Sequence, residues 1–211
     1  MCFSVSRFIS ATNKGVDIKV KGLYLHSAKL FTFLKMSNKT ILYTAMSSDG
    51  FLAGENDNID FLSPYQVEGE DYGYNEFIKS VGAIIVGRKT YEIVIGMGYP
   101  YHPDKNVYVA TRGSMKSDRE NLFFYNGDMK ALIKQLKSSQ HKNIYCDGGA
   151  ALAKSLFNER LIDEIILSVI PVKLEKGIML FDNGIIPNDF KLKGSKEFKT
   201  GLIQYYYELQ K

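Results

Sequence analysis

The sequence predicts a single α/β domain: a mixed, mostly parallel sheet of about eight strands, helices on both of its faces, and a C-terminal antiparallel hairpin. Three observations predict it. Short apolar runs such as Ala83-Ile84-Ile85-Val86 and Asn143 to Cys146 stop at glycine or polar turn residues, as buried strands do. Segments with helical spacing follow them, so strand and helix alternate to about residue 170, the pattern of parallel strands joined by crossover helices. The end of the chain differs. Beyond Thr200-Gly201, the residues Ile203, Tyr205, Tyr207 and Leu209 alternate with Leu202, Gln204, Tyr206 and Glu208, the period of two that a hairpin strand requires.

In chain order, residues 1–35 keep neither a strand nor a helix period for long, apart from a short helical stretch over Ser27 to Phe33. Met36-Ser37-Asn38-Lys39 reads as a fresh start. Residues 1–35 are therefore expected to be an N-terminal extension, poorly ordered or a non-native start, with residues 36–211 forming the domain. Thr40 to Met46 is the first strand. Ser47-Ser48-Asp49-Gly50 then supplies a turn, since Asp-Gly tolerates positive φ. Phe51 to Gly54 leads through the polar loop Glu55 to Asn58 into Ile59-Asp60-Phe61-Leu62, which returns towards the core. Tyr72 to Ser80 is a helix preceded by acidic residues from Glu68 to Asp71, where its dipole favours them. Ala83 to Val86 is a strand. Thr90 to Gly96 is a short helix, ended by Gly96, Gly98 and Pro100. Asn106 to Ala110 and Asn121 to Tyr125 are strands. Asp128 caps a helix to about Lys137, whose Ala131, Leu132 and Leu136 share one face. Asn143 to Cys146 runs into Asp147-Gly148-Gly149-Ala150 and a helix over Ala151 to Asn158. Leu161 to Ile170 is a long β-branched strand closed by Pro171.

Apolar residues make up 45% of the 211 and charged residues 24%, which suits a chain that buries a sizeable core. The net charge of +4 is scattered rather than blocked, so no nucleic-acid surface is indicated, although a small anionic ligand suits it. Cys2 and Cys146 lack the spacing of a zinc site, and His26, His102 and His141 stand far apart. No apolar run approaches the ~20 residues of a membrane span, and the opening MCFSVSRFISATNKG is too broken for a signal peptide. No metal and no membrane partner are expected, and the expected location is cytoplasmic.

Ligands of open α/β sheets bind beyond the carboxyl ends of the strands. Four such ends carry unusual chemistry here: Ser47 to Gly54, Gly87 to Thr90, Thr111-Arg112, and Asp147 to Ala150. Singly each reads as an ordinary turn. Together they place glycine turns, two arginines and threonine hydroxyls on one rim. Gly148-Gly149 at a helix start lets backbone approach a pyrophosphate, and Arg88 and Arg112 can hold an extra phosphate through forked, charge-assisted bonds. The rim reads as a dinucleotide site that favours a 2′-phosphate. The G-x-G-x-x-G fingerprint is missing: Gly96-Met97-Gly98 follows a helix and lacks the third glycine. No P-loop and no nucleophile elbow occur. Cys146 ends a strand near the rim and reads as a buried, inert thiol rather than a nucleophile.

The motifs SSDGFLAG with IDFL after it, VGRKTYE, VATR, DGGAALAKSLF and LIDEIILSVIPVKLEKGIMLF occur in this order. With them, the chain from about Lys39 to Leu209 resembles the dihydrofolate-reductase-like superfamily. Within it the chain is most similar to stand-alone proteins like the reductase domain of bacterial bifunctional riboflavin-biosynthesis enzymes. The resemblance implies a homodimer and NADPH as cofactor. It implies that the Ala45 backbone meets the nicotinamide carboxamide, that Ser47 to Gly54, with Gly50, forms a mobile loop over that ring, and that Gly87, Arg88, Lys89 and Thr90 hold phosphates. Thr111 and Arg112 would lie near the adenosine 2′-phosphate, and Gly148, Gly149, Ala150 and Ala151 would cradle the pyrophosphate.

Two departures from the family pattern bear on the substrate. Aligning Phe77 with the aromatic of the family's substrate helix puts Gly73 where dihydrofolate reductases carry a carboxylate, with Asp71 and Glu76 nearby. The turn after Pro171, Lys173-Leu174-Glu175-Lys176-Gly177, holds one glycine where riboflavin reductases are glycine-rich. The expected activity is hydride transfer from NADPH to a small pterin-like or pyrimidine-like heterocycle. Asp60 is the first candidate for the proton donor, against a turn-capping role, and Glu76 the second. Phe61 and Phe77 are candidates for packing on the substrate ring, against core packing. The rival expectations are a non-catalytic NADPH- or nucleotide-binding protein and a degenerate paralogue that binds no cofactor. Intact glycines and arginines at all four strand ends speak against the last.

Overall fold

The computed structural model describes residues 38–117, 119–139 and 141–210; the expected extension over residues 1–35 lies outside them. Among the described residues ten strands and four α-helices follow one another. They are β1 (Thr40–Ser47), β2 (Phe51–Ala53), α1 (Tyr74–Ser80), β3 (Val81–Gly87), α2 (Arg88–Gly96), β4 (Asn106–Ala110), β5 (Leu122–Tyr125), α3 (Met129–Ser139), β6 (Asn143–Cys146), α4 (Ala150–Asn158), β7 (Glu164–Ile170), β8 (Ile178–Met179), β9 (Phe190–Glu197) and β10 (Ile203–Leu209). The main sheet has eight strands in the order β5-β4-β3-β6-β1-β7-β10-β9. From β5 to β7 neighbouring strands run parallel, while β10 is antiparallel to both β7 and β9.

Every residue of β1 is buried, as expected of a central strand covered on both faces. Its alternation separates two cores. Ile41 and Tyr43 join Phe77 of α1 and the neighbouring Tyr91 and Val94 of α2 on one side. Leu42 and Met46 join Leu132, Ile133 and Leu136 of α3 and Leu152 and Leu156 of α4 on the other. Each fully buried isoleucine or leucine of these layers contributes about 1.5–3 kcal/mol. The expected cap on α3 is present: Asp128 accepts from the amides of Lys130 (3.0 Å) and Ala131 (3.2 Å).

Several boundaries shift by a few residues, and two starts and one pairing differ from expectation for a clear local reason. Helix α2 starts at Arg88 rather than Thr90, because Gly87 ends the strand with extended backbone (φ −70°, ψ 143°) and the next residue already turns. Strand β7 starts at Glu164 rather than Leu161. Arg160 turns the chain with φ +54°, and Asp163 is taken up by the Thr40 amide at its carboxylate (2.7 Å) and the Leu209 amide at its carbonyl (2.9 Å). A second sheet, β2 paired antiparallel with β8, was not expected at all. That small sheet fastens the chain after β1. The Asp49 carboxylate accepts from the amides of Leu174 (3.1 Å) and Glu175 (2.8 Å), and Gly50 O accepts from Leu180 N (3.3 Å). At Gly177, with φ +146°, any Cβ would lie 2.1 Å from Ala53 O, so glycine is required where the two segments meet. The Pro171–Gly177 turn thus uses its single glycine for a backbone crossing.

Candidate functional site

The carboxyl ends of β3 and β6 lie side by side. Asp147 N donates to Ile85 O (3.0 Å) and Gly87 N to Gly148 O (3.0 Å), which joins the turn before α2 to the turn before α4. Gly149 has φ +80°, and a Cβ there would meet Thr90 Oγ1 at 2.9 Å. The helix N-termini therefore stand in contact. Neither Gly87 nor Gly149 supplies a side-chain cap, so first-turn amides of both helices remain available to an anion.

These turns wall a cleft of about 910 Å³. Of the expected cofactor residues it brings together Gly87, Arg88, Lys89, Thr90, Thr111, Arg112, Gly149, Ala150 and Ala151, and it adds Asp57 and the Asn126-Gly127 turn beyond β5. Its cations differ in their commitments. Arg88 pairs with Glu92 one turn along its own helix (2.6 Å), and Lys89 with Asp57 (2.6 Å). Arg112 enters no ion pair among the described residues. Uncapped amides, a glycine-lined wall and three cations form a donor set fitted to phosphates.

The other expected residues stand elsewhere. Gly148 contributes its carbonyl to the clip with Gly87. Ala45 is buried beside Leu62, Tyr72 and Ile170. Gly50 has φ +92°, and a Cβ there would lie 3.0 Å from the Gly184 Cα. Phe77 has no exposed surface and packs edge-on to Tyr43 (4.9 Å) and Tyr145 (5.1 Å), a core position. Phe61 is half-buried against the cluster that holds Ala45. Asp60 lies exposed at the start of the 3-10 turn Asp60–Tyr65, where Asn58 Nδ2 donates to it (2.9 Å). Glu76 is half-exposed and pairs with Lys79 (3.1 Å). Asp71 caps α1, accepting from the amides of Gly73 (2.8 Å) and Asn75 (3.0 Å).

The carboxylate that the sequence reading passed over is Asp147. It is 2% exposed, follows β6 directly, and precedes the glycine turn of the cleft. Tyr101 donates to one of its oxygens and Tyr145 to the other. His102 packs edge-on to Tyr101 (5.0 Å) and hydrogen-bonds Tyr74 through Nε2 (3.1 Å). Burial holds the His102 imidazole below its ordinary value, against the opposing charge of Asp147 and Asp104. A signal existed in the sequence, an acid between an apolar strand and Gly-Gly, but Tyr101 arrives from a loop without periodicity. Cys146 is buried and its thiol is pushed up to about 12 by desolvation, the environment of an unreactive cysteine. Among the described residues no cluster of three His, Cys, Asp or Glu is arranged to hold a metal ion, and no helix is long and apolar enough to cross a membrane.

Residues 38–204 match the family model of the RibD C-terminal domain. The chain belongs to that family. Among its relatives, YwjB of Bacillus subtilis (strain 168), named as an uncharacterized protein, is 39% identical over 173 residues, covering 81% of this chain and 98% of YwjB. The dihydrofolate reductase type 1 of Escherichia coli is 27% identical over 176 residues, covering 81% of this chain and 97% of the reductase. Solved structures that share the fold include the following two. One, from Shewanella sp. PV-4 and named as a candidate riboflavin biosynthesis protein, superposes with a TM-score of 0.73 at 24% identity, covering 82% of this chain and 99% of its own. The other is the Enterococcus faecalis dihydrofolate reductase in complex with NADP(H) and RAB-propyl, with a TM-score of 0.61 at 14% identity, covering 83% of this chain and 98% of its own. The RibD C-terminal family thus has here the mixed sheet and C-terminal antiparallel strands that the motifs led us to expect.

Proposed function

We propose that this chain is an NADPH-dependent reductase of a small pterin-like or pyrimidine-like heterocycle. One observation carries the reading: two uncapped helix N-termini, clipped together by Gly87 and Gly148, share a cleft with Arg88, Lys89 and Arg112. Membership of a reductase-domain family and the likeness to a dihydrofolate reductase solved with NADP(H) support it. Gly87 to Thr90 and Gly149 to Ala151 would hold the pyrophosphate, and Thr111 and Arg112 the adenosine 2′-phosphate. The bound cofactor supplies the hydride; the protein supplies orientation and a dry site. Asp147, buried and held by two tyrosine hydroxyls, is the carboxylate we assign to binding the heterocycle and handling its proton, in place of Asp60 and Glu76, which face solvent.

The experiment is NADPH and NADH binding by calorimetry, then NADPH oxidation with a panel of dihydropterins and aminopyrimidine ribosides. Turnover of a panel member that Asp147→Asn abolishes while NADPH still binds is the expected result. Failure to bind NADPH overturns the reading. The exposed placement of Asp60 and Glu76 favours one rival, a nucleotide-binding protein without turnover; tight NADPH binding with no oxidation across the panel would establish it.

A further inference from the structure

We propose that Asp57 is an internal competitor for the ligand's phosphate. Its carboxylate occupies Lys89 until a phosphate takes its place, and the segment 55–58 is a latch on the mouth of the cleft. The proposal rests on the dinucleotide reading above. Lys89 is the second residue of α2, beside its uncapped N-terminus, where an anion is favoured. In this structure the anion found there is the chain's own: Asp57 Oδ2 stands 2.6 Å from Lys89 Nζ, and both residues line the cleft.

The segment that presents Asp57 is built to give way. Asn56 and Asp57 are successive non-glycine residues in left-handed backbone, at φ +55° and +59°, a conformation that side chains other than Asn and Asp avoid. The turn is closed by two backbone hydrogen bonds, Gly54 N to Asn58 O (2.8 Å) and Asn58 N to Glu55 O (3.2 Å), and buries no residue over Glu55–Asp57. It can swing without disturbing either core layer. The preceding residues cannot do so as freely, because Asp49 and the β2–β8 pairing tie them to the turn after β7. The loop expected to move over the cofactor is therefore divided: its first part is clasped, and residues 55–58 carry the freedom. A phosphate arriving at α2 must both take Lys89 and displace a carboxylate of its own sign.

The test is NADPH binding to the full chain and to Asp57→Asn, by calorimetry and by the fluorescence of bound NADPH. Asparagine keeps the shape, tolerates the left-handed backbone and removes the charge. The expected result is a dissociation constant about three- to tenfold lower at low ionic strength, with the gain shrinking as salt is raised. In a Lys89→Ala background the same substitution is expected to give a smaller gain, only that from removing a like charge beside the phosphate, because no ammonium remains to be released. Asp57→Gly, which also suits the backbone, is the second variant if asparagine lowers the melting temperature. NADPH binding that is unchanged or weaker in a folded Asp57→Asn, or a gain undiminished without Lys89, overturns the latch alone. If wild type and variant alike bind no NADPH, the dinucleotide reading fails and the latch with it.

Discussion

Arg112 and Glu164 mark the two kinds of charge this chain carries, one held open and one sealed in. Arg112 lines the cleft with no ion pair among the described residues. Arg112→Ala is expected to weaken NADPH at least tenfold and NADH little, since it removes a partner of the phosphate that only NADPH bears. Equal losses in parallel titrations would mean that Arg112 does not read that phosphate. Glu164 lies on the far side of the fold, its side chain 1% exposed, against Lys39, which also reaches Glu208 (3.0 Å). Burial raises the Glu164 carboxyl above its ordinary 4.5, outweighing the neighbouring ammonium, whereas Lys39 and Lys193 hold Glu208 below it. A carboxyl with a raised folded value binds its proton more tightly folded than unfolded. Its contribution is thus present at low pH and is lost as pH climbs from 4.5 through the raised value. Glu208 has the opposite sense, its contribution fading as pH falls. Glu164→Gln should flatten the first of these slopes in urea titrations stepped from pH 4 to 7. Lys39→Met, which strands a buried carboxylate, should cost about 3 kcal/mol at neutral pH. Arg112 could be read from sequence because it stands just beyond the end of a strand. Asp57 and Tyr101 could not, because their partners Lys89 and Asp147 are brought to them only by the folded chain.

Elements that obey a period were legible; the two short strands that do not were missed. β1, β4, β6 and α3 fall where apolar spacing puts them, because each is long enough, or sharply enough bounded, to show its period. β2 and β8 have three and two residues, and what defines them is their meeting: a clasp from Asp49, and a crossing at Gly177 too close for any side chain. Gly177→Ala should therefore be among the costly substitutions in the molecule, by about 2–4 kcal/mol, since both the backbone angle and the Ala53 carbonyl oppose it. A chemical-denaturation midpoint equal to wild type would show that this crossing is not what ties the two segments. The same clasp ties down Ser47 to Gly50, the first part of the Ser47 to Gly54 loop that the family resemblance implied to be mobile.

For the whole molecule the hairpin and the crossover strands divide the work. Parallel strands from β5 to β7 bring their carboxyl ends to one rim and so assemble the cleft, while β9 and β10 close the sheet on the far side. Exposed Lys191, Lys193 and Lys196 along β9 discourage further pairing at that edge. If residues 36–211 are the complete domain, a chain begun at Met36 should melt within a few degrees of the full one and bind NADPH equally. A large loss of either property would assign residues 1–35 a structural role. The hydrogen bond from the Gly87 amide to the Gly148 carbonyl also makes the rim observable without any ligand. That amide exchanges with solvent deuterium only when β3 and β6 part at their tips. Its exchange rate therefore reports how often an empty cleft breathes, and slower exchange on adding a nucleotide would register binding at the joint between the two glycine turns.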